Sequence, residues 1–191
     1  MLELAILGLL KERPMHGYQL KRRLADTLGG FWQVSYGSLY PALKRLQREE
    51  AVQMIFPREQ VGRRKNVYRI TEKGEALFAE LLERAGQDAS EDSGFSVRFA
   101  FFQYLKPETR LRLLERRRAF LESRWTTLKE SVQRLKEGID SYTLSLMSHE
   151  VSRAENDIRW LDELIQAEQA RVEPVRPRPR RSARLAQRER A

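Results

Sequence analysis

From Leu111 the side chains Leu114, Arg118, Leu121, Trp125, Leu128, Val132, Leu135 and Ile139 follow one another at alternating steps of three and four, and all but Arg118 are apolar. An α-helix turns once in 3.6 residues, so these steps line one face of one long helix and exclude a strand, whose period is two. Past Gly138 the spacing returns in Leu144, Met147, Val151, Ala154, Ile158, Leu161 and Ile165. Each buried Leu or Ile is worth about 1.5–3 kcal/mol, so two such seams do not stay in water. They form an antiparallel hairpin or pack against a second chain, and Pro107 suits the first turn of the earlier helix. Ahead of it, Phe95, Phe99, Phe101, Phe102 and Tyr104 read as an aromatic-rich helix ending before Lys106-Pro107-Glu108.

The N-terminal half has a different grammar. Leu2, Ala5, Ile6, Leu9 and Leu10 fall at helical spacing until Pro14 closes the pattern. A second helix, from about His16 to Leu28, aligns Leu20, Leu24 and Leu28 beside Lys21, Arg22 and Arg23, and Gly29-Gly30 ends it. The third runs from Ser35 or Ser38, either of which can cap it, through Arg48. A Ser38 cap would put Pro41 in the first turn, where a missing N–H costs little. Leu39, Leu43 and Leu46 share one face, and Gly37, Pro41, Lys44, Arg45 and Arg48 point the other way. Residues 52–56 and 66–70 are β-leaning segments around the basic turn Val61-Gly62-Arg63-Arg64-Lys65, and Thr71 starts a further helix. The expected fold is mainly α with a small β-hairpin wing: a winged helix-turn-helix followed by a long-helix dimerisation domain.

Charge narrows the partners. The chain of 191 residues carries 36 Lys and Arg against 27 Asp and Glu, a net +9 that favours a polyanion such as nucleic acid. The excess is uneven: +4 in residues 1–90, −1 in 91–170 and +6 in 171–191. These are the expected units, a DNA-binding domain, a helical dimerisation and effector domain, and an Arg/Pro-rich tail with too little apolar surface to fold alone. The tail reads either as a solubilising segment or as an accessory arm on DNA phosphates. No cysteine is present, which excludes disulfides, thiolate nucleophiles and Cys-based zinc sites. The apolar run Met1–Leu10 is too short for a membrane span and lacks signal-peptide flanks, so the expected location is cytoplasmic and nucleoid-associated, with no membrane partner. His16 and His149 stand far apart, and no phosphate loop, metal-ligand spacing or nucleophile motif is found. An enzyme is not expected, nor a cofactor.

Four segments together carry a resemblance: Leu4 to Leu10, His16-Gly17-Tyr18-Gln19-Leu20-Lys21, Tyr36-Gly37-Ser38-Leu39-Tyr40-Pro41-Ala42-Leu43-Lys44-Arg45-Leu46, and Tyr68-Arg69-Ile70-Thr71-Glu72-Lys73-Gly74. In this order they resemble the winged-helix signature of PadR transcriptional regulators. The Phe-rich helix, Leu105-Lys106-Pro107-Glu108 and Trp160-Leu161-Asp162-Glu163-Leu164 extend the resemblance to the subgroup with the larger helical C-terminal domain. It implies a homodimeric, DNA-binding regulator, most often a repressor, on a pseudo-palindromic operator. Two positions depart from the pattern: Glu50-Ala51 where a Gly commonly ends the recognition helix, and Asn66 where a Lys is common on the wing. The third helix is therefore expected to end without the usual left-handed Gly.

The candidate DNA contacts are Tyr18, Lys21 and Arg22, then Gly37, Ser38, Tyr40, Pro41, Lys44 and Arg45, and Arg63, Arg64 and Lys65 at the wing tip. The small polar start of the third helix is expected to reach base edges, with the cations on phosphates. The candidate dimer contacts are Leu121, Trp125, Leu128, Val132, Val151, Ile158 and Leu161. Trp125, Trp160 and the Phe cluster read either as ordinary core or as walls of a pocket for a small hydrophobic effector. The rival to a DNA-binding regulator is a coiled-coil scaffold or protein-binding adaptor that carries a winged helix.

Overall fold

A computed structural model describes residues 1–29, 33–55, 66–84, 92–135 and 137–172. The wing-tip residues Arg63, Arg64 and Lys65 and the tail beyond Val172 lie outside them. The chain runs α1 (Leu2–Glu12), β1 (Met15–His16), α2 (Gly17–Leu28), α3 (Tyr36–Arg48), β2 (Val52–Ile55), β3 (Val67–Ile70), α4 (Glu72–Glu83), α5 (Asp92–Phe99), a 3₁₀ turn (Phe102–Tyr104), α6 (Pro107–Leu135) and α7 (Ser141–Val172). It is a mostly helical winged-helix fold with one small antiparallel sheet and a long helical C-terminal region.

Helix α1 is buried from Leu4 to Leu10 without interruption. One stripe would explain only Ala5, Ile6, Leu9 and Leu10; Leu4 and Leu7 are covered because α2, α3, α4, α5 and β3 surround the helix. The sheet has the order β1-β3-β2, with Met15 opposite Tyr68 and Val52 opposite Ile70. The two-residue strand β1 gave no sequence signal of its own.

The aromatic helix expected over Phe95 to Tyr104 is instead broken after Phe99. The break sends its rings two ways. Phe95 and Phe99 meet Trp160 of α7, Phe102 meets both of these phenylalanines, and Phe101 turns back onto Phe78 and Gly8.

Helices α6 and α7 pair within the chain as an antiparallel hairpin. Asp140 caps α7, its carboxylate accepting from the Tyr142 and Thr143 N–H groups at 2.9 and 3.1 Å. Across the pair Arg118 meets Asp162, the Trp125 Nε1–H donates to Glu155 at 3.0 Å, and Arg110 lies 3.1 Å from Glu168. Burial declines towards the hairpin tip: Leu114, Leu121, Leu161 and Ile165 are buried, Leu128, Val132 and Val151 half-buried, Leu135 and Leu146 exposed. Leu121 and Leu161, expected as dimer contacts, are buried within the chain. The two tryptophans also part company. Trp160 joins the Phe cluster, but Trp125 lies beside Glu155 and Lys129.

Candidate nucleic-acid interface

Helix α3 starts at Ser35, not Ser38: the Ser35 Oγ accepts from the Ser38 N–H at 3.2 Å. Pro41 therefore falls in the second turn, where it has no N–H to offer the Gly37 carbonyl. The Ser38 hydroxyl donates to the Ser35 carbonyl at 3.0 Å, so the polar group expected to face base edges is engaged in the cap. At the far end Glu50 takes the left-handed conformation itself, with φ 58°. The Ala51 N–H reaches the Leu46 carbonyl at 2.9 Å and the Glu50 N–H that of Gln47 at 3.0 Å, which is a Schellman cap built without glycine. The helix thus ends, as expected, without the usual left-handed Gly: the geometry is the usual one, and the residue is not.

Buried Leu39, Ala42, Leu43 and Leu46 anchor α3 on α1 and leave Gly37, Tyr40, Pro41, Lys44 and Arg48 exposed. Together with Tyr36 and Gln47 these line a shallow depression on the outer face. The Tyr36 and Tyr40 rings stack at 6.2 Å with an 18° interplanar angle, and the Lys21 ammonium of α2 sits 3.7 Å from the Tyr36 centroid. That distance is a close cation–π contact. The Tyr40 hydroxyl lies 2.9 Å from where a side chain on Gly17 would begin, so the start of α2 abuts α3 only because residue 17 is glycine. Burial, and secondarily Tyr40, raise the Tyr68 phenol above its ordinary pKa, so it stays protonated beneath this patch.

The cations divide into two groups. Arg45 Nε meets Glu3 of α1 at 2.5 Å and Arg23 meets Glu12 at 2.7 Å, so both charges are partly neutralised within the chain. Arg45 lies on the side of α3 nearest α1, which brings it within reach of Glu3, and it stays exposed there. Lys44 and Arg48 have no carboxylate partner among the described residues, and Arg22 has only Asp26 at 4.0 Å. Tyr18 is 63% exposed, with its ring 6.3 Å from that of His16. The structure thus brings Lys21, Gly37, Tyr40, Pro41 and Lys44 to one surface. The sequence reading missed Tyr36 as a site residue, although its spacing of four from Tyr40 on one helix marked the pair as neighbours.

No helix among the described residues is long and apolar enough to cross a membrane, and none of their His, Asp and Glu side chains gather in a group able to hold a metal.

Comparison with known proteins bears on both halves. Residues 6–80 match the transcriptional regulator PadR-like family, and residues 93–168 match a family described as virulence activator alpha C-term. The negative transcriptional regulator PadR of Bacillus subtilis (strain 168) is 21% identical over 173 residues, which cover 86% of this chain and 95% of the relative. Among solved structures, Bacillus subtilis PadR in complex with operator DNA is 22% identical, covers 87% of this chain and 97% of its own, and superposes with a TM-score of 0.43. A second structure of that protein, in complex with p-coumaric acid, is 21% identical over 88% of this chain and 98% of its own, with a TM-score of 0.39.

Proposed function

The chain belongs to the PadR-like family of transcriptional regulators, and from that premise we propose that it is a sequence-specific DNA-binding repressor, acting as a homodimer on a pseudo-palindromic operator. The observation that carries this reading is the outer face of α3. Gly37, Tyr40 and Pro41 form a low, exposed surface beside Lys21, Lys44 and Arg48. A recognition helix needs such a face: a narrow end to enter the major groove, with cations where phosphates run. Residues 1–90 are then the DNA-binding unit, with Arg63, Arg64 and Lys65 as further phosphate contacts, and residues 91–170 the dimerisation unit.

One winged helix covers one half-site, so two copies are needed for an inverted repeat. The half-buried residues Trp125, Leu128, Val132, Val151 and Ile158 still have surface to give a partner, and the exposed Leu135 and Leu146 extend it. Release by a small hydrophobic effector fits the Phe95, Phe99, Phe102 and Trp160 cluster, which supplies aromatic walls.

Gel-shift titration of genomic fragments at several salt concentrations tests the proposal. A regulator shows sequence-selective binding whose affinity falls linearly with salt on logarithmic axes. A scaffold shows neither property.

A further inference from the structure

Among the described residues nothing requires Gly37 to be glycine. Its backbone is helical, and of those residues a side chain built on it would meet only the Ser35 Oγ, at an ordinary 3.6 Å. Glycine loses more backbone entropy than alanine on entering a helix, so an exposed helical glycine is a cost that no contact among the described residues offsets. One turn later stands Pro41, also exposed and also unfavourable inside a helix. Both lie on the outer face of α3. What they have in common is a flat, apolar surface with no projecting polar group.

The polar atoms of Ser38 are already engaged: its hydroxyl donates to the Ser35 carbonyl, and its N–H is taken by the Ser35 Oγ. The Tyr40 hydroxyl lies at the edge of the surface, over Gly17. The surface left for an incoming partner is the Gly37 backbone, the Pro41 ring and the exposed Tyr40 ring, flanked by Lys44 and Arg48. In the major groove only one base presents an apolar group: thymine, through its 5-methyl.

We propose that the Gly37–Tyr40–Pro41 surface reads thymine by seating its 5-methyl group, and that Gly37 lacks a side chain to leave room for it. The proposal rests on the DNA-binding reading above and gives it a chemical specificity. Lys44 and Arg48, without a carboxylate partner among the described residues, suit the phosphates on either side of the seated base.

The test starts from duplexes that the full-length chain enriches from a randomised library. In the enriched duplex each thymine is replaced singly by deoxyuridine, which removes the methyl group and keeps every hydrogen-bonding atom. One thymine per half-site is expected to lose about fourfold in affinity, the worth of one buried methyl group, with no change in salt dependence. The variant Gly37→Ala is expected to melt at a higher temperature yet to bind the enriched duplex about tenfold more weakly, because its methyl group occupies the space of the thymine's. In that variant the uracil effect disappears. Enriched duplexes insensitive to uracil at every position, or a Gly37→Ala variant that binds as the parent does, overturn the methyl reading and leave DNA recognition standing. Failure to enrich any sequence overturns both.

Discussion

The ring of Phe101 lies 2.4 Å from where a side chain on Gly8 would begin, so the centre of α1 and the turn after α5 touch backbone against aromatic edge. Gly8 is the one residue of the buried Leu4–Leu10 stretch without a side chain, and Phe101 fills that gap. Phe78 of α4 meets the same ring edge-on at 5.9 Å. Through this contact the N-terminal fold and the segment leading to α6 share one core.

Gly8→Ala is therefore an overpacking substitution. It should destabilise the protein by about 1–3 kcal/mol, read as a lower urea midpoint at unchanged slope. Combining it with Phe101→Leu should recover part of that loss, because the smaller side chain makes room. Two additive losses would show that the contact is not tight.

Glu50→Gly should do the reverse. A left-handed conformation costs an ordinary L-residue about 1–2 kcal/mol and glycine almost nothing. The ion pair that Glu50 makes with Lys73 at 3.2 Å is exposed and offsets little of this. The Thr71 hydroxyl donates to the Glu50 carbonyl, a bond that glycine retains. The expected outcome is a gain of about 1 kcal/mol in thermal or urea unfolding.

How far the sequence reached is clearest from neighbouring residues of α3. The helix, its core face and the outward set Gly37, Pro41, Lys44, Arg45 and Arg48 follow from a period of 3.6, which depends on local geometry alone. That Arg45 pairs with Glu3, or that Phe101 leaves the path of α5 to reach Gly8, depends on packing between segments distant in the chain. No local pattern carries that information. The cap at Glu50 illustrates another limit: the motif was recognisable by its glycine, and here the backbone geometry survives the loss of the residue that advertises it.

Asp140 holds the start of α7 through its carboxylate. Hydrogen bonds from the Thr143 side chain and backbone, and from the Tyr142 N–H, lower its pKa below the ordinary carboxylate value. A depressed folded-state pKa contributes stability that is present above the unfolded value and is lost as pH falls through the folded one. Stability should decline on acidification below about pH 4, and Asp140→Ala should remove that part of the decline. Urea midpoints measured from pH 2 to 6 check this, and identical acid limbs in the two proteins would falsify it.

Lys44 and Arg45, adjacent in sequence, should behave differently on DNA. Lys44 is unpaired among the described residues, so Lys44→Ala should weaken binding to all sequences about equally and reduce the logarithmic salt slope by about one. Arg45 is already committed to Glu3, and Arg45→Ala should change the slope by less. Equal slopes for both variants would contradict the division of cations drawn from the structure.

The central claim, that the exposed face of α3 selects a DNA sequence, is tested most directly by the affinity of the full-length chain for an enriched duplex and for a scrambled duplex of equal composition, measured across salt concentrations with the parent protein and with Tyr40→Ala. The expected result is a preference for the enriched duplex of about a thousandfold or more in the parent, at salt slopes set by phosphate contacts. Tyr40→Ala should shrink that preference and leave binding to the scrambled duplex nearly unchanged. A parent protein that binds the two duplexes equally at every salt concentration, or a Tyr40→Ala variant that keeps the full preference, would contradict the account.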